Sequence, residues 1–135
     1  MLTPSVSLGP TVGSGMGVPI LVVEDDPHLR QIIREVLEDE GLVVVTAADG
    51  RQALQRAAAQ RPALVVLDMR LPVLDGAGVV AGLRATFGVP PPVLVITAHG
   101  RAAEKARQVG AFAFLSKPLE LDELVASVQR ALESG

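Results

Sequence analysis

The sequence predicts an α/β domain in which five parallel strands form one sheet with helices wound on both faces. Short apolar runs of strand length alternate five times with longer segments whose apolar residues recur at helical spacing. No hairpin turn signal joins any two of the runs, so each return to the sheet passes through a helix. The run 63–67 is apolar throughout, as a central parallel strand covered on both faces should be.

Each element has a local reason. The first strand, 20–23, ends at Glu24-Asp25-Asp26. Pro27 suits the first position of a helix, where its missing N–H costs nothing, and Asp26 is placed as the N-cap. Leu29, Ile32, Ile33, Val36 and Leu37 form that helix's apolar stripe, and Gly41 closes it. The second strand covers 42–45. Asp49 caps a second helix carrying Ala53, Leu54 and Ala57, which ends before Pro62. The third strand, 63–67, runs into Asp68. A loop to Gly76 leads to a weak third helix, diluted by Gly78 and Gly82. Pro90-Pro91-Pro92 breaks the chain before a fourth strand, 93–96, with Thr97 at its end. A fourth helix over about 101–108 stops at Gly110, a fifth strand covers 112–115, and 121–132 forms a fifth helix with Leu124, Val125, Val128 and Leu132 on one stripe.

Residues 1–18 carry no charge and are rich in Ser, Thr, Pro and Gly, which predicts a flexible extension ahead of one domain over 19–135. The glycine run at 13–17 precedes the first strand, whereas a phosphate-cradling loop follows a strand and opens a helix, so it reads as a linker. Met16 is an alternative start.

Composition narrows the chemistry. With 135 residues, 49% hydrophobic and 20% charged, the chain suits a single core. The absence of cysteine excludes a disulfide scaffold, a zinc ribbon and a thiol nucleophile, and His28 and His99 are too few for a histidine-rich metal site. Any metal is therefore held by oxygen. A net charge of -3 and 2% aromatic content argue against free-standing nucleic-acid binding, which needs a basic footprint and stacking rings. No apolar stretch reaches membrane-spanning length and no basic leader precedes one, so a cytoplasmic location is the expectation.

In a doubly wound sheet the functional groups lie outside the carboxyl ends of the strands. Here those groups are Glu24, Asp25 and Asp26, then Asp68, Thr97, and Ser116-Lys117-Pro118. Carboxylates gathered at short range repel unless a cation pairs with them, and Mg2+ favours a few carboxylates with waters and a phosphoryl oxygen. Lys117 and Thr97 would add a point charge and a hydroxyl donor for a phosphoryl group. No nucleotide-cradling motif and no Ser-His pair is present, which leaves Asp68 as the nucleophile that could attack phosphorus in line.

The chain from Pro19 to Leu132 resembles the receiver domain of two-component response regulators. The resemblance rests on Ile20-Leu-Val-Val-Glu-Asp-Asp26, Leu64-Val-Val-Leu-Asp68, Leu71-Pro-Val-Leu-Asp-Gly76, Val95-Ile-Thr-Ala98 and Gly110-Ala-Phe-Ala-Phe-Leu-Ser-Lys-Pro118, in order and at consistent spacing. It implies a flavodoxin-like (βα)5 three-layer sandwich with strand order 2-1-3-4-5. It also implies Asp68 as phospho-acceptor, Glu24 and Asp25 as the acidic pair for Mg2+, the backbone carbonyl of Arg70 as a further ligand, Thr97 as switch hydroxyl, Lys117 as phosphate-binding lysine and Phe114 as an aromatic that turns inward on activation. Asp26, one place beyond the pair, is assigned to the helix cap.

Plainer readings stand beside these. Phe114 most simply packs in the core; His28 is a surface residue; His99 sits in an exposed loop; Arg101, Lys105 and Arg107 form a solvated basic face. Arg70 and Leu119 depart from what is frequent in the family, but neither removes a reacting group. The resemblance implies a sensor histidine kinase or phosphotransfer protein as donor and a downstream protein effector, as monomer or phosphorylation-dependent dimer, with self-modification rather than enzymatic turnover. Because the chain stops at Gly135, output is expected to pass through another protein, unless the chain is an excised domain. The alternatives are a receiver-like module that binds partners without phosphorylation, a hydrolase forming an aspartyl-phosphate, and a flavin-binding protein. Asp68-Met-Arg70 lacks the second acid a hydrolase would want, and the missing Trp and Tyr argue against flavin.

Overall fold

The computed structural model describes residues 17–98 and 101–134. The expected extension therefore lies outside the described residues except for Gly17 and Val18, and so does His99. Five strands and five helices alternate: β1 (Ile20–Val23), α1 (Pro27–Asp39), β2 (Val44–Ala47), α2 (Gly50–Ala59), β3 (Leu64–Asp68), α3 (Gly76–Phe87), β4 (Val93–Ala98), α4 (Ala102–Val109), β5 (Ala113–Lys117) and α5 (Leu121–Ser134). All strand pairs are parallel and the sheet order is β2-β1-β3-β4-β5, the expected 2-1-3-4-5 arrangement.

The pleat sorts the central strands into two cores. Leu21, Val23, Val65, Leu67, Val93 and Val95 pack against Ala53, Ala57, Val79, Val80, Leu83 and Val109 of α2, α3 and α4. Ile20, Val22, Leu64, Val66, Leu94 and Ile96 face Ile33, Leu37, Leu124 and Val128 of α1 and α5. Apolar residues on both sides of β1, β3 and β4 are thus explained by burial on both faces.

Three strands begin later than the sequence pattern predicts, β3 by a single residue at Leu64. Gly41, at φ +83°, turns the chain out of α1, and the Leu42 amide donates to the Leu37 carbonyl at 3.2 Å. That bond belongs to the helix terminus, so β2 starts at Val44 and continues through Thr46 and Ala47. β5 is likewise displaced toward its end, because Ser116 and Lys117 pair with Thr97 and Ala98. Asp26, Asp49 and Asp75 each cap a helix through a side-chain oxygen. Val73, in the loop between β3 and α3, has φ +70°, a left-handed conformation unfavourable for a β-branched residue.

Candidate functional site

The β1–β3 register pairs Val23 with Leu67, so the next residues, Glu24 just past β1 and Asp68 at the end of β3, lie level with each other. Both are buried, at 0% and 3% exposure, while Asp25 is exposed. One carboxylate oxygen each from Glu24, Asp25 and Asp68 lie within 4.8 Å of one another. Lys117, at the end of β5, reaches across to both buried acids: its Nζ lies 2.7 Å from Glu24 Oε1 and 3.0 Å from Asp68 Oδ2.

The remaining oxygens are held by backbone amides. The Asp26 amide donates to Glu24 Oε2 at 3.1 Å, and the Arg70 amide donates to Asp68 Oδ1 at 3.0 Å. Glu24 Oε1 accepts no hydrogen bond of good geometry and is met by the lysine only as an ion pair. Burial raises the Glu24 carboxyl above its ordinary pKa, and the nearby Asp68 charge adds to this; the contacts with Lys117 and the Asp26 amide oppose it without cancelling it. Burial works to lower Lys117, but its contacts with Glu24 and Asp68 outweigh that and the ammonium is held above its ordinary value.

Three clustered carboxylates, two of them buried, leave one oxygen short of a hydrogen bond. That donor set fits a hard cation with oxygen ligands such as Mg2+. Such an ion would compete with Lys117 for the same charge.

Of the other residues singled out in the sequence, Asp26 caps α1, accepting from the amides of His28 at 2.9 Å and Leu29 at 3.4 Å. His28 is exposed, and so is the Arg70 side chain. Thr97 is buried at the end of β4 beside Ser116, and no hydrogen bond joins it to Asp68 among the described residues. Arg101 is exposed and paired with Glu104 at 3.2 Å. Phe114 corrects the simpler reading: it is 44% exposed and is not packed in the core. β5 is an edge strand whose residues alternate between half-buried and exposed, and α4 offers Phe114 only Ala103, Ala106 and Arg107 beside an open groove of about 350 Å3.

Arg30 escaped the sequence reading. Its Nη1 donates to the carbonyl oxygens of Glu24 at 2.8 Å and Asp25 at 3.3 Å. An arginine in the first turns of a helix that follows an acidic loop was the available signal.

A doubly wound parallel sheet with carboxylates and a lysine gathered at the carboxyl ends of its strands defines a class of α/β domain whose site lies at that edge and whose acidic groups could hold a hard cation. Residues 20–129 match the family described as response regulator receiver domain, and the chain belongs to that family. It is 43% identical over 119 residues to the response regulator MprA of Mycolicibacterium vanbaalenii, covering 87% of this chain and 51% of that protein. It is 41% identical over 116 residues to the C4-dicarboxylate transport transcriptional regulatory protein DctD of Pseudomonas aeruginosa, covering 84% of this chain and 25% of that one. The chain thus spans about half of the first of these relatives and a quarter of the second. Among solved structures, the receiver domain of NtrX from Brucella abortus superposes with TM-score 0.79 at 35% identity, covering 86% of this chain and 99% of that one. The Vibrio cholerae chemotaxis protein CheY4 superposes with TM-score 0.77 at 33% identity, covering 85% and 98%. Among the described residues no helix is long and apolar enough to cross a membrane.

Proposed function

We propose that this receiver domain is a phosphorylation-dependent switch in a phosphorelay, with Asp68 as the acceptor. The observation that carries the reading is the closed cluster in which Lys117 contacts both buried acids while Asp25 completes the carboxylate set. Glu24, Asp25, Asp68 and the Arg70 carbonyl would hold Mg2+, which when bound offsets negative charge on the phosphoryl oxygens.

The chain's own residues do the rest. An Asp68 carboxylate oxygen attacks phosphorus of a phosphohistidine in line; the new O–P bond forms as the P–N bond breaks, and the imidazole departs as the leaving group. Lys117, held protonated by its two acids, supplies a positive charge that is already in place when the phosphoryl group arrives. Once Asp68 is converted to its acyl phosphate, the ammonium gains a phosphoryl oxygen in place of the carboxylate charge, and the Thr97 hydroxyl donates to another. These shifts bias the end of β4, and Phe114 turns from its exposed position toward the interior, which alters the face made by α4, β5 and α5 for a protein effector. The partners this entails are a sensor histidine kinase or phosphotransfer protein upstream and an effector downstream.

The test is direct. Protein incubated with Mg2+ and acetyl phosphate should gain one labile phosphate by intact mass, and Asp68→Asn should gain none. An unmodified wild type, or an equal adduct on the variant, overturns the reading.

A further inference from the structure

Asp25 is the one member of the carboxylate cluster with no support for its side chain. Glu24 is buried and anchored by an amide and an ammonium, and Asp68 by another amide and the same ammonium. The Asp25 carboxylate is exposed and takes no hydrogen bond from the described residues, so only its backbone sets where it points. That backbone is tied down from α1. One nitrogen of Arg30, Nη1, donates to the carbonyls of both Glu24 and Asp25, at 2.8 Å and 3.3 Å. A single guanidinium therefore restrains the two consecutive peptide planes that carry two of the three clustered carboxylates.

We propose that Arg30 is a positioning residue for the cation site, holding Asp25 in the cluster through the main chain. The proposal rests on the reading of Glu24, Asp25 and Asp68 as a Mg2+ site. It makes a prediction whose sign is opposite to that of simple electrostatics. If Arg30 acted on the site only as a charge, removing it would make the pocket more negative and tighten cation binding. If it acts by position, removing it frees the loop, the exposed Asp25 wanders, and binding weakens. Loss of a group that orients a ligand commonly costs ten- to a hundredfold in affinity; with one short and one longer bond, about tenfold is expected here.

The experiment measures Mn2+ binding to the unphosphorylated protein by electron paramagnetic resonance, with Mg2+ competition, for wild type, Arg30→Met and Arg30→Lys. Amide hydrogen exchange at Asp25 and Asp26 and thermal unfolding without metal are recorded alongside. Arg30→Met should bind about tenfold more weakly and show faster exchange at those amides. Arg30→Lys, which keeps the charge but presents one ammonium on a different stem, should restore part of the affinity. Equal or tighter binding by Arg30→Met overturns the proposal while leaving the cation site standing. A lysine variant as weak as methionine, or loss of affinity matched by global unfolding at the assay temperature, also overturns it. Absence of Mn2+ binding by wild type would instead remove the cation-site reading beneath it.

Discussion

Replacing Lys117 by methionine keeps most of the side-chain volume and removes the one ammonium that meets Glu24 Oε1 at 2.7 Å and Asp68 Oδ2 at 3.0 Å. Two acids at 0% and 4% side-chain exposure then face each other without that cation. Removing one partner of a buried ion pair costs about 3–5 kcal/mol because the other charge is left uncompensated. The lysine is 25% exposed and Asp25 opens one side of the cluster to water, so the lower figure of about 2–3 kcal/mol is expected at neutral pH without divalent cations. For a folded unit of this size that corresponds to a fall in Tm of about 8–12 °C. The deficit carries a sign with pH. Glu24 is raised above its ordinary value of 4.5 on folding. A carboxyl raised on folding favours the folded state below its unfolded pKa and loses that advantage as pH rises through the folded one. Without the lysine opposing it, Glu24 rises further, so the variant should be nearest to wild type around pH 4.5 and fall behind as pH approaches 7. Lys117 in wild type is raised above 10.5, so its own contribution is undiminished across that window and is lost only as pH rises through its folded value. Mg2+ at ten times its Kd stabilises by about 1.4 kcal/mol. In the variant, where no ammonium competes for the acids, a given Mg2+ concentration should recover more stability than in wild type. The chain has no Trp or Tyr, so urea denaturation followed by far-UV circular dichroism is the suitable assay. A deficit that is the same from pH 4.5 to 7, or that Mg2+ leaves untouched, would refute the charge argument.

Three substitutions test how the β3–α3 loop and α3 pack against α2. In Gly50→Ala the new Cβ would run into the Leu74 carbonyl oxygen and lie 2.8 Å from its carbon, backbone that yields only if the loop moves; a loss of about 3 kcal/mol is expected from denaturation. Gly82→Ala would bring Cβ to 2.6 Å from Leu54 Cδ1, the far end of a side chain that can rotate, while gaining about 1 kcal/mol of helix propensity, so its midpoint should stay within about 1 kcal/mol of wild type. Equal losses in the two would show that the backbone approach is not what matters. Val73→Gly should raise stability by about 0.5 kcal/mol, because relief of the left-handed conformation at φ +70° exceeds the entropy that glycine loses on folding; a lower midpoint would contradict this.

Much of this was legible because the relevant physics is local. Pro27 and the three aspartate caps mark helix starts through bonds within one turn, and strands buried on both faces read as unbroken apolar runs. Glu24, Asp25, Asp68 and Lys117 could be listed from the strand ends, but their meeting depends on the β2-β1-β3-β4-β5 order, which came from the family resemblance and not from periodicity. What stayed hidden was decided by unoccupied space or by the main chain. Phe114 has the hydrophobicity of a core residue, and only the alternation along an edge strand beside a short helix leaves it outside. Arg30 carries no motif, because its bonds go to carbonyl oxygens that every residue possesses. The Arg70 amide on Asp68 is invisible for the same reason.

The helices differ in how their starts are held. α1, α2 and α3 each begin with an aspartate whose side chain accepts a main-chain amide. α4 begins at Arg101 with no side-chain cap bond and runs for only 8 residues. An absent cap forgoes about 1 kcal/mol, and a helix this short depends on tertiary packing for its stability. It packs through only three buried residues, Ala102, Ala106 and Val109, and β5 beside it is bonded to β4 alone, with Phe112 just before it and Phe114 on it 42% and 44% exposed. Lys117 terminates that same strand. On the proposed mechanism, a change in what the lysine contacts therefore acts directly on an edge strand and the uncapped helix beside it, whereas β1 and β3, which carry the acids, are fixed by a neighbour on each side. On that mechanism, a few kcal/mol at the phosphoryl group would be enough to shift such an element, provided that the rest of the sheet does not give.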